Sequence, residues 1–411
     1  MGSPSYMGSL FAQLGGTAEA YEQYKRAEVI ARERVRVKEG SDASRSNLAA
    51  ILRSLGQTTQ EVSRDMRVAQ QLYEEALQVR QSILDHPFAG DGTAAVPDIV
   101  RYELSEDHTR VGATIYRLGD PARALQHFQR AFDLRRALRE SLPTNSDVTE
   151  TDRRRILGAL PIDIARSRLS MGELSFRLRD PAKALETYHE VTETYDNSAA
   201  KSPGNTRLKH DAGRIHGNYG DIKLHTDGPA GALSHYERCR DVMKELNEYD
   251  ANESGYKRDL GLAHYRLGNH SLRSNDPAAA AEHFRASLEI REALVALDKS
   301  NDRRQMELML ALAHCGDHAR AAVIAEKYRG TESPDNELLI DVTRCFAQCS
   351  AAATSDAALR QDYADKAIAA LSAAIAQRYR DSVFLEFEPD LDPLRERDDF
   401  KLLVDSARAA N

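Results

Sequence analysis

The sequence predicts an all-α repeat solenoid, and three observations lead to that fold class. Gly112, Gly172, Gly220 and Gly268 each stand nine positions before Pro121, Pro181, Pro229 and Pro277. Each proline is followed by Ala122, Ala182, Ala230 or Ala278, then by Ala124, Ala184, Ala232 or Ala280. Seven positions past the proline comes an aromatic residue: Phe128, Tyr188, Tyr236 or Phe284. A register kept in this way marks one helix–turn–helix unit copied along a solenoid. An ordinary helical bundle has no need of it.

Each element of the unit has a physical reason. The glycine falls inside a helical stretch, where it costs about 1 kcal/mol relative to alanine. A cost that recurs implies a recurring packing need, the close approach of a neighbouring helix. The stretch ends at a polar turn such as Leu118-Gly119-Asp120-Pro121 or Ser274-Asn275-Asp276-Pro277. The residue before proline is pushed out of the α region, and proline suits the first turn of the next helix. In that second helix, Ala124 and Phe128 are four apart and share a face. The alanine admits the partner helix, and the aromatic fills the space between the two.

These positions resemble the tetratricopeptide repeat, with a small residue early in helix A and Ala, an aromatic and Ala in helix B. Gly112, Ala124, Phe128 and Ala131 follow that pattern, while Val191, Cys239 and Ser287 fill the last small position less faithfully. An N-terminal copy keeps the spacing in Gly8, Ala20, Tyr24 and Ala27, with Thr17 in the proline slot. Ala69, Tyr73 and Ala76 mark another helix B, whose helix A around Asn47–Leu55 is expected to lie beyond an insertion. Degenerate copies follow at Ala321 and Ala325 and at Ala367, Leu371 and Ala374. The resemblance implies a right-handed superhelical α-solenoid of about eight helix pairs.

The period exceeds the usual one. Tyr188 to Tyr236 and Tyr236 to Phe284 are both 48 residues, against about 34 in the ordinary repeat. The surplus falls after helix B, in stretches such as Leu288–Val295, so helices longer by one to two turns are expected. Tyr256–Leu260, Leu267–Asn269 and Glu289–Val295 resemble the long repeats in the tails of bacterial serine/threonine kinases. Glu388–Arg395 with Phe400 resembles the motif that closes such arrays. Residues 1–85 are thus read as N-terminal repeats, 86–105 as a loop insertion and 106–300 as central long repeats. Residues 301–379 are read as degenerate repeats, and 380–411 as a cap built from Phe384, Phe387, Leu391, Leu394 and Phe400. Further loops are expected at Ser141–Asp152 and Asn197–Asn205, and Gly15-Gly16 is read as a helix end.

Composition narrows the function. Hydrophobic residues at 41% support folding throughout, and charged residues at 29% suit amphipathic helices with solvated outer faces. A net charge of −8 argues against general binding to nucleic-acid phosphates. The clusters Arg153-Arg154-Arg155 and Arg135, Arg136 and Arg139 are interleaved with acids or apolar residues and read as solvated faces. No stretch reaches the roughly 20 apolar residues of a membrane span, and no secretory signal is visible. Four cysteines do not make a secreted disulfide framework, so the cytoplasm is the expected compartment, or the other side of the membrane were the chain a kinase tail behind a membrane span.

The chemistry-bearing residues do not assemble into an active site on paper. His314, Cys315 and His318 with Cys345 and Cys349 could form a zinc site, but small cysteines packed between helices are the stronger reading. The glycine loop, catalytic aspartate and Asp-Phe-Gly of a kinase are absent from the sequence. Glu388–Asp392 lacks the glycine and terminal glutamate of a calcium loop. The 13 histidines read as scattered. A non-enzymatic chain without cofactor or metal is expected.

The resemblance also places a partner-binding surface. Helix A of such repeats lines a concave groove, and its inward positions fall six and three before the glycine and one and four after it. These give Tyr116, Arg166, Glu173, Arg214, Asp221, Tyr265 and Asn269 as the groove residues, with Glu106, Thr109, Ala113, Leu169, Phe176, Gly217, Leu224, Leu262 and Leu272 beside them. Mixed aromatics, acids and arginines suit an extended peptide or a partner helix. Members of the family that clamp a terminal carboxylate use Lys and Asn; here Tyr265 precedes Asn269, and the charge of Asp221 is expected to repel a carboxylate. Two functions are expected: a protein-binding scaffold, or the regulatory tail of a larger serine/threonine kinase.

Overall fold

The computed structural model describes residues 5–6, 8–9, 17–37, 41–62, 65–88, 97–144, 148–299, 301–331 and 334–409. Among the described residues every regular element is helical. Helix α1 (Thr17–Val37) precedes the pairs α2/α3 (Asp42–Val62, Met66–Asp85), α4/α5 (Pro97–Arg117, Pro121–Ser141) and α6/α7 (Glu150–Arg177, Pro181–Lys201). Then come α8/α9 (Thr206–Thr226, Pro229–Tyr249), α10/α11 (Ser254–Arg273, Pro277–Leu297), α12/α13 (Asp302–His314, His318–Arg329) and α14/α15 (Asn336–Ala352, Ala357–Ala376). A short helix α16 (Ser382–Phe387), a 3-10 turn (Pro389–Leu394) and α17 (Asp398–Ala409) end the chain. Packing divides it into two compact units, Met1–Met171 and Gly172–Asn411, the division falling inside α6.

Three connections are shorter than the sequence suggests. Helix α4 begins at Pro97, so residues 97–105 are helical and not part of an insertion; proline at a first helical position needs no donor. Helix α7 continues to Lys201, which leaves only Ser202–Asn205 of the expected loop. Helix α2 stands directly before α3, and the expected insertion between them is absent: Gly56 takes the glycine role, 17 residues before Tyr73 where the other repeats have 16. Gly15 and Gly16 lie outside the described residues.

The turn between helices A and B explains the recurring aspartate. Asp120, Asp180 and Asp276 are N-caps whose carboxylates accept from the backbone N–H three residues on, at 3.0, 3.1 and 3.0 Å. The residue before each is left-handed: Gly119 (φ 90°), Arg179 (φ 65°) and Asn275 (φ 57°). Each aspartate N–H then returns to a carbonyl five residues back, at 3.2, 2.8 and 2.9 Å, closing helix A. One residue type thus ends one helix and starts the next.

Within a pair, the repeated glycine faces the repeated aromatic. A Cβ on Gly268 would come within 2.5 Å of the Phe284 ring, and one on Gly220 within 2.6 Å of Tyr236. Real side chains do not approach so closely, so the ring edge, more than the partner backbone, is what excludes a side chain here. The aromatics themselves are buried.

Between pairs, the extra turn of helix B does the joining. Seven residues past the aromatic stand Arg80, Arg135 and Arg291, all buried, where the other two long repeats have Tyr195 and Met243. Arg80 bonds Asp107 at 2.5 Å and also Glu103 on the following helix A. Arg135 reaches Glu106, and its guanidinium donates to Ser167 Oγ at 2.6 Å and to the Asp163 carbonyl at 3.1 Å. Arg291 pairs with Glu307. Such pairs must satisfy several hydrogen bonds at once, because the cost of desolvating two charges rivals their attraction.

A further polar contact repeats at the A–B interface. His108 and His127, His216 and His235, and His264 and His283 meet Nδ1 to Nδ1 at 3.1, 3.0 and 3.2 Å. Each histidine on helix A lies four residues before the glycine, and each on helix B immediately precedes the aromatic. Burial, with repulsion from the partner ring, lowers His108, His235 and His264 to about 4. Burial lowers His127, His216 and His283 as well. The rings are therefore neutral at pH 7, one donating and the other accepting.

Two outcomes follow from these contacts. Gly268→Ala is expected to destabilise the fold by about 1–3 kcal/mol through overpacking, more than its helix-propensity gain. Gly158→Ala, at an exposed site in α6 where an added Cβ meets nothing within 4 Å, should stabilise by about 0.5–1 kcal/mol. Urea unfolding followed by circular dichroism checks both, and equal signs would contradict the glycine–aromatic contact. The imidazole pairs predict a pH dependence of opposite sense to that of a paired histidine. Their folded pKa values lie below the unfolded one, so the unfolded chain takes up protons first as pH falls. Their contribution is complete above about 6.5 and is lost as pH falls towards about 4. In metal-free buffer the double variant His264→Gln/His283→Gln should show a shallower loss of stability over that window than the wild type.

Candidate functional site

In the unit Gly172–Asn411, inner residues of the A helices surround a cavity of about 290 Å³. The end of α6 and helices α8, α10 and α14 supply three sides, and the C-terminal segment formed by α16 and the 3-10 turn supplies the fourth. Glu173, Asp221, Tyr265 and Asn269, four of the seven residues expected in a groove, line it together with Phe176, Leu224 and Leu262. Arg214 is exposed and pairs with Asp259 at 3.5 Å. Tyr116 and Arg166 belong to the unit Met1–Met171, where Tyr116 is half-buried on α4 and Arg166 pairs with Asp163 at 3.2 Å.

One end of the cavity is aromatic. The His225 ring stacks against Phe176 at 5.7 Å and packs on Phe387 at 4.9 Å between centroids. Burial and the nearby Arg273, Arg177 and Arg395 lower His225 to about 4, so this imidazole is neutral at pH 7. Phe384 lies 5.4 Å from the Arg177 guanidinium. Phe384 packs against the C-terminal core as expected of a cap residue and also lines the cavity, whereas Phe387, expected in the cap, walls the face of the A helices. Leu391, Leu394 and Phe400 do enter the C-terminal core.

The other end is polar and internally compensated. Arg266 donates to Asp221 at 2.6 Å and to Asn218 Oδ1 at 2.7 Å, while the Tyr236 hydroxyl donates to Asp221 at 3.0 Å. Asp221 therefore carries no uncompensated charge towards the cavity, and the repulsion expected of it is largely cancelled. Asn269 is different. It is 5% exposed, its side chain makes no hydrogen bond among the described residues, and it borders the cavity.

The C-terminal segment is held to this face by a buried ionic network. Arg344 on α14 pairs with Asp390 at 2.8 Å and Glu388 at 3.3 Å and donates to the Tyr265 hydroxyl at 3.1 Å. His314 Nε2 reaches Asp390 at 2.8 Å, and the Tyr265 hydroxyl donates to Glu388 at 3.3 Å. Burial works to raise Asp390, yet Arg344 and the His314 bond hold its carboxyl below the usual range. Glu388, buried and facing Asp390, is raised despite Arg344. Asp341, buried beside the same arginine, rises to about 6.

Sequence reasoning placed the helix A positions by counting from the glycine, and so missed Arg266, Arg344, His225 and Glu388. Helix α14 has no glycine landmark from which Arg344 could be counted. The residues weighed as zinc ligands form no cluster of three or more among the described residues: His314 faces Asp390, and Cys345 and Cys349 are buried, their thiols directed to the carbonyls of Met309 at 3.9 Å and His318 at 3.6 Å. The histidine spacing of 19 residues, kept in three repeats, was present in the sequence and went unread.

No protein-family model matches the chain, and no curated protein matches it. Solved structures do. The Rap conjugation gene regulator of plasmid pLS20, in complex with the Phr* peptide, is similar with a TM-score of 0.51 at 12% identity, over 81% of this chain and 76% of that one. Aspartyl phosphate phosphatase F from Bacillus subtilis gives 0.49 at 12% identity, over 84% and 74% of the two chains. BtubC (BKLC) from P. vanneervenii gives 0.46 at 18% identity, over 67% and 90%. At such identities the likeness is one of fold, and the kinase-tail resemblance draws no support from it. The fold is an all-α array of tetratricopeptide-type helix pairs.

Proposed function

We propose that the chain is a non-catalytic scaffold that binds a protein or peptide partner on the face shared by its A helices. A partner side chain enters the cavity beside Tyr265 and Asn269. The observation that carries this is Asn269, a largely buried residue whose amide lines the cavity. A ligand that offers this amide a donor or acceptor gains a hydrogen bond that contributes about 0.5–1.5 kcal/mol. The charged residues around it are neutralised by one another, so an uncharged ligand edge, such as a peptide group flanked by an aromatic or aliphatic side chain, suits the site. The aromatic end formed by Phe176, His225 and Phe387 provides the apolar contact.

A second reading, a regulatory tail of a larger serine/threonine kinase, rests on the 48-residue period and the closing segment Glu388–Arg395. It is compatible with the same binding face, and a kinase lobe encoded upstream in the native reading frame would decide it.

Affinity capture with the full chain, followed by mass spectrometry and titration of the recovered partner, tests the binding face. Asn269→Ala should weaken that partner about tenfold or more, equivalent to about 1.4 kcal/mol, with helical content unchanged. Leu262→Trp, which fills the cavity, should weaken it further. Undiminished affinity in both variants would remove this face from consideration.

A further inference from the structure

Three of the long repeats carry an imidazole pair between helices A and B that the binding face does not use. We propose that each pair, His108/His127, His216/His235 and His264/His283, is a two-nitrogen site for a late first-row divalent cation that ties helix A to helix B of its own repeat. The geometry is the first support. The Nδ1 atoms lie 3.1, 3.0 and 3.2 Å apart. An ion about 2.0–2.1 Å from each of two imidazole nitrogens separates them by roughly 2.9–3.4 Å at tetrahedral or right-angled geometry. The separation is nearly constant although the surrounding side chains differ, because the glycine–aromatic register fixes both backbones.

The donor chemistry agrees. A bound cation takes the place of the proton shared by the two Nδ1 atoms, which moves to Nε2 of the donor ring and leaves two neutral imidazoles, the form that ligates a metal. In the second pair, Asp196 accepts from His216 Nε2 at 3.1 Å. That fixes the tautomer and turns the His216 Nδ1 lone pair towards His235, as outer-shell carboxylates do for metal-bound histidines. Five of the six rings are only half-buried, which leaves room for water in the remaining coordination positions. No group of three or more such ligands converges among the described residues, so these are open, exchangeable sites and not closed structural ones. Imidazole favours zinc, nickel and copper over magnesium or calcium.

Neighbouring charges set the strength. Glu74, Asp196 and Glu282 favour a cation at the three pairs; Arg123 and Arg130 oppose it at the first, Lys223 and Arg238 at the second, and Arg240 at the third. The mixed signs imply modest affinity. The repeat at Gly172 is an internal control, since Arg168 and Thr187 occupy the corresponding positions.

Titration of the full chain with Cu²⁺ in metal-free buffer, by calorimetry and visible absorption, tests the assignment. His127→Gln, His235→Gln and His283→Gln keep a hydrogen-bonding group but remove a ligand. Each should abolish one equivalent of saturable uptake, and the triple variant should take up three equivalents fewer than the wild type. Cu²⁺ should also raise the thermal midpoint of the wild type and not that of the triple variant. Mg²⁺ should have neither effect. Equal uptake by wild type and a helical triple variant, or no saturable uptake by the wild type, would overturn the proposal.

Discussion

The contact between a bare glycine and an aromatic ring edge is what the rest of the array is built around. With Phe284 or Tyr236 pressed against a position that tolerates no Cβ, the spacing and rotation of helices A and B are set. Around that contact lie the imidazole pairs one turn away and the alanines that let the second helix lie flat. The aspartate turns then only need to reverse the chain, and they do so with one residue serving both helix ends.

The long helix B changes how repeats communicate. Here Arg80 and Arg291 extend from the added turn into carboxylates on the next helix A, and Arg135 reaches a hydroxyl and a backbone carbonyl there. These junctions are specific in direction and partner, since a buried guanidinium has several donors to satisfy. Tyr195 and Met243 occupy the same position elsewhere, so the joint tolerates apolar substitutes of similar reach. The proposed binding face shows the same economy, with Asp221 compensated by Arg266 and Asp390 by Arg344, while the Asn269 amide lines the cavity.

The fold was legible because periodicity survives without coordinates. Gly112, Pro121, Ala124 and Phe128 carry enough of the packing that their spacing alone names the helix pair. The surface was legible in part, since counting from Gly220 and Gly268 reaches Asp221, Tyr265 and Asn269. What stayed hidden depended on contacts distant in sequence. Nothing near Glu388 announces that it will meet Tyr265 and Arg344, and the degenerate repeats lack the landmark that would position α14. The loop boundaries at residues 97–105 and 197–201 were misplaced because polar and glycine-rich composition was weighed above helix length. The histidine register needed only to be counted.

The return of the C-terminal segment has a consequence for how its unit comes apart. A linear array loses its elements one by one, each held only by its neighbours. Residues 381–394 instead touch α6, α10, α12 and α14, and Glu386 reaches Arg179, 207 positions earlier. A chain strapped across its own repeats cannot fray from one end without releasing the strap first. Unravelling of Gly172–Asn411 therefore becomes a concerted event, and the strap is where it begins.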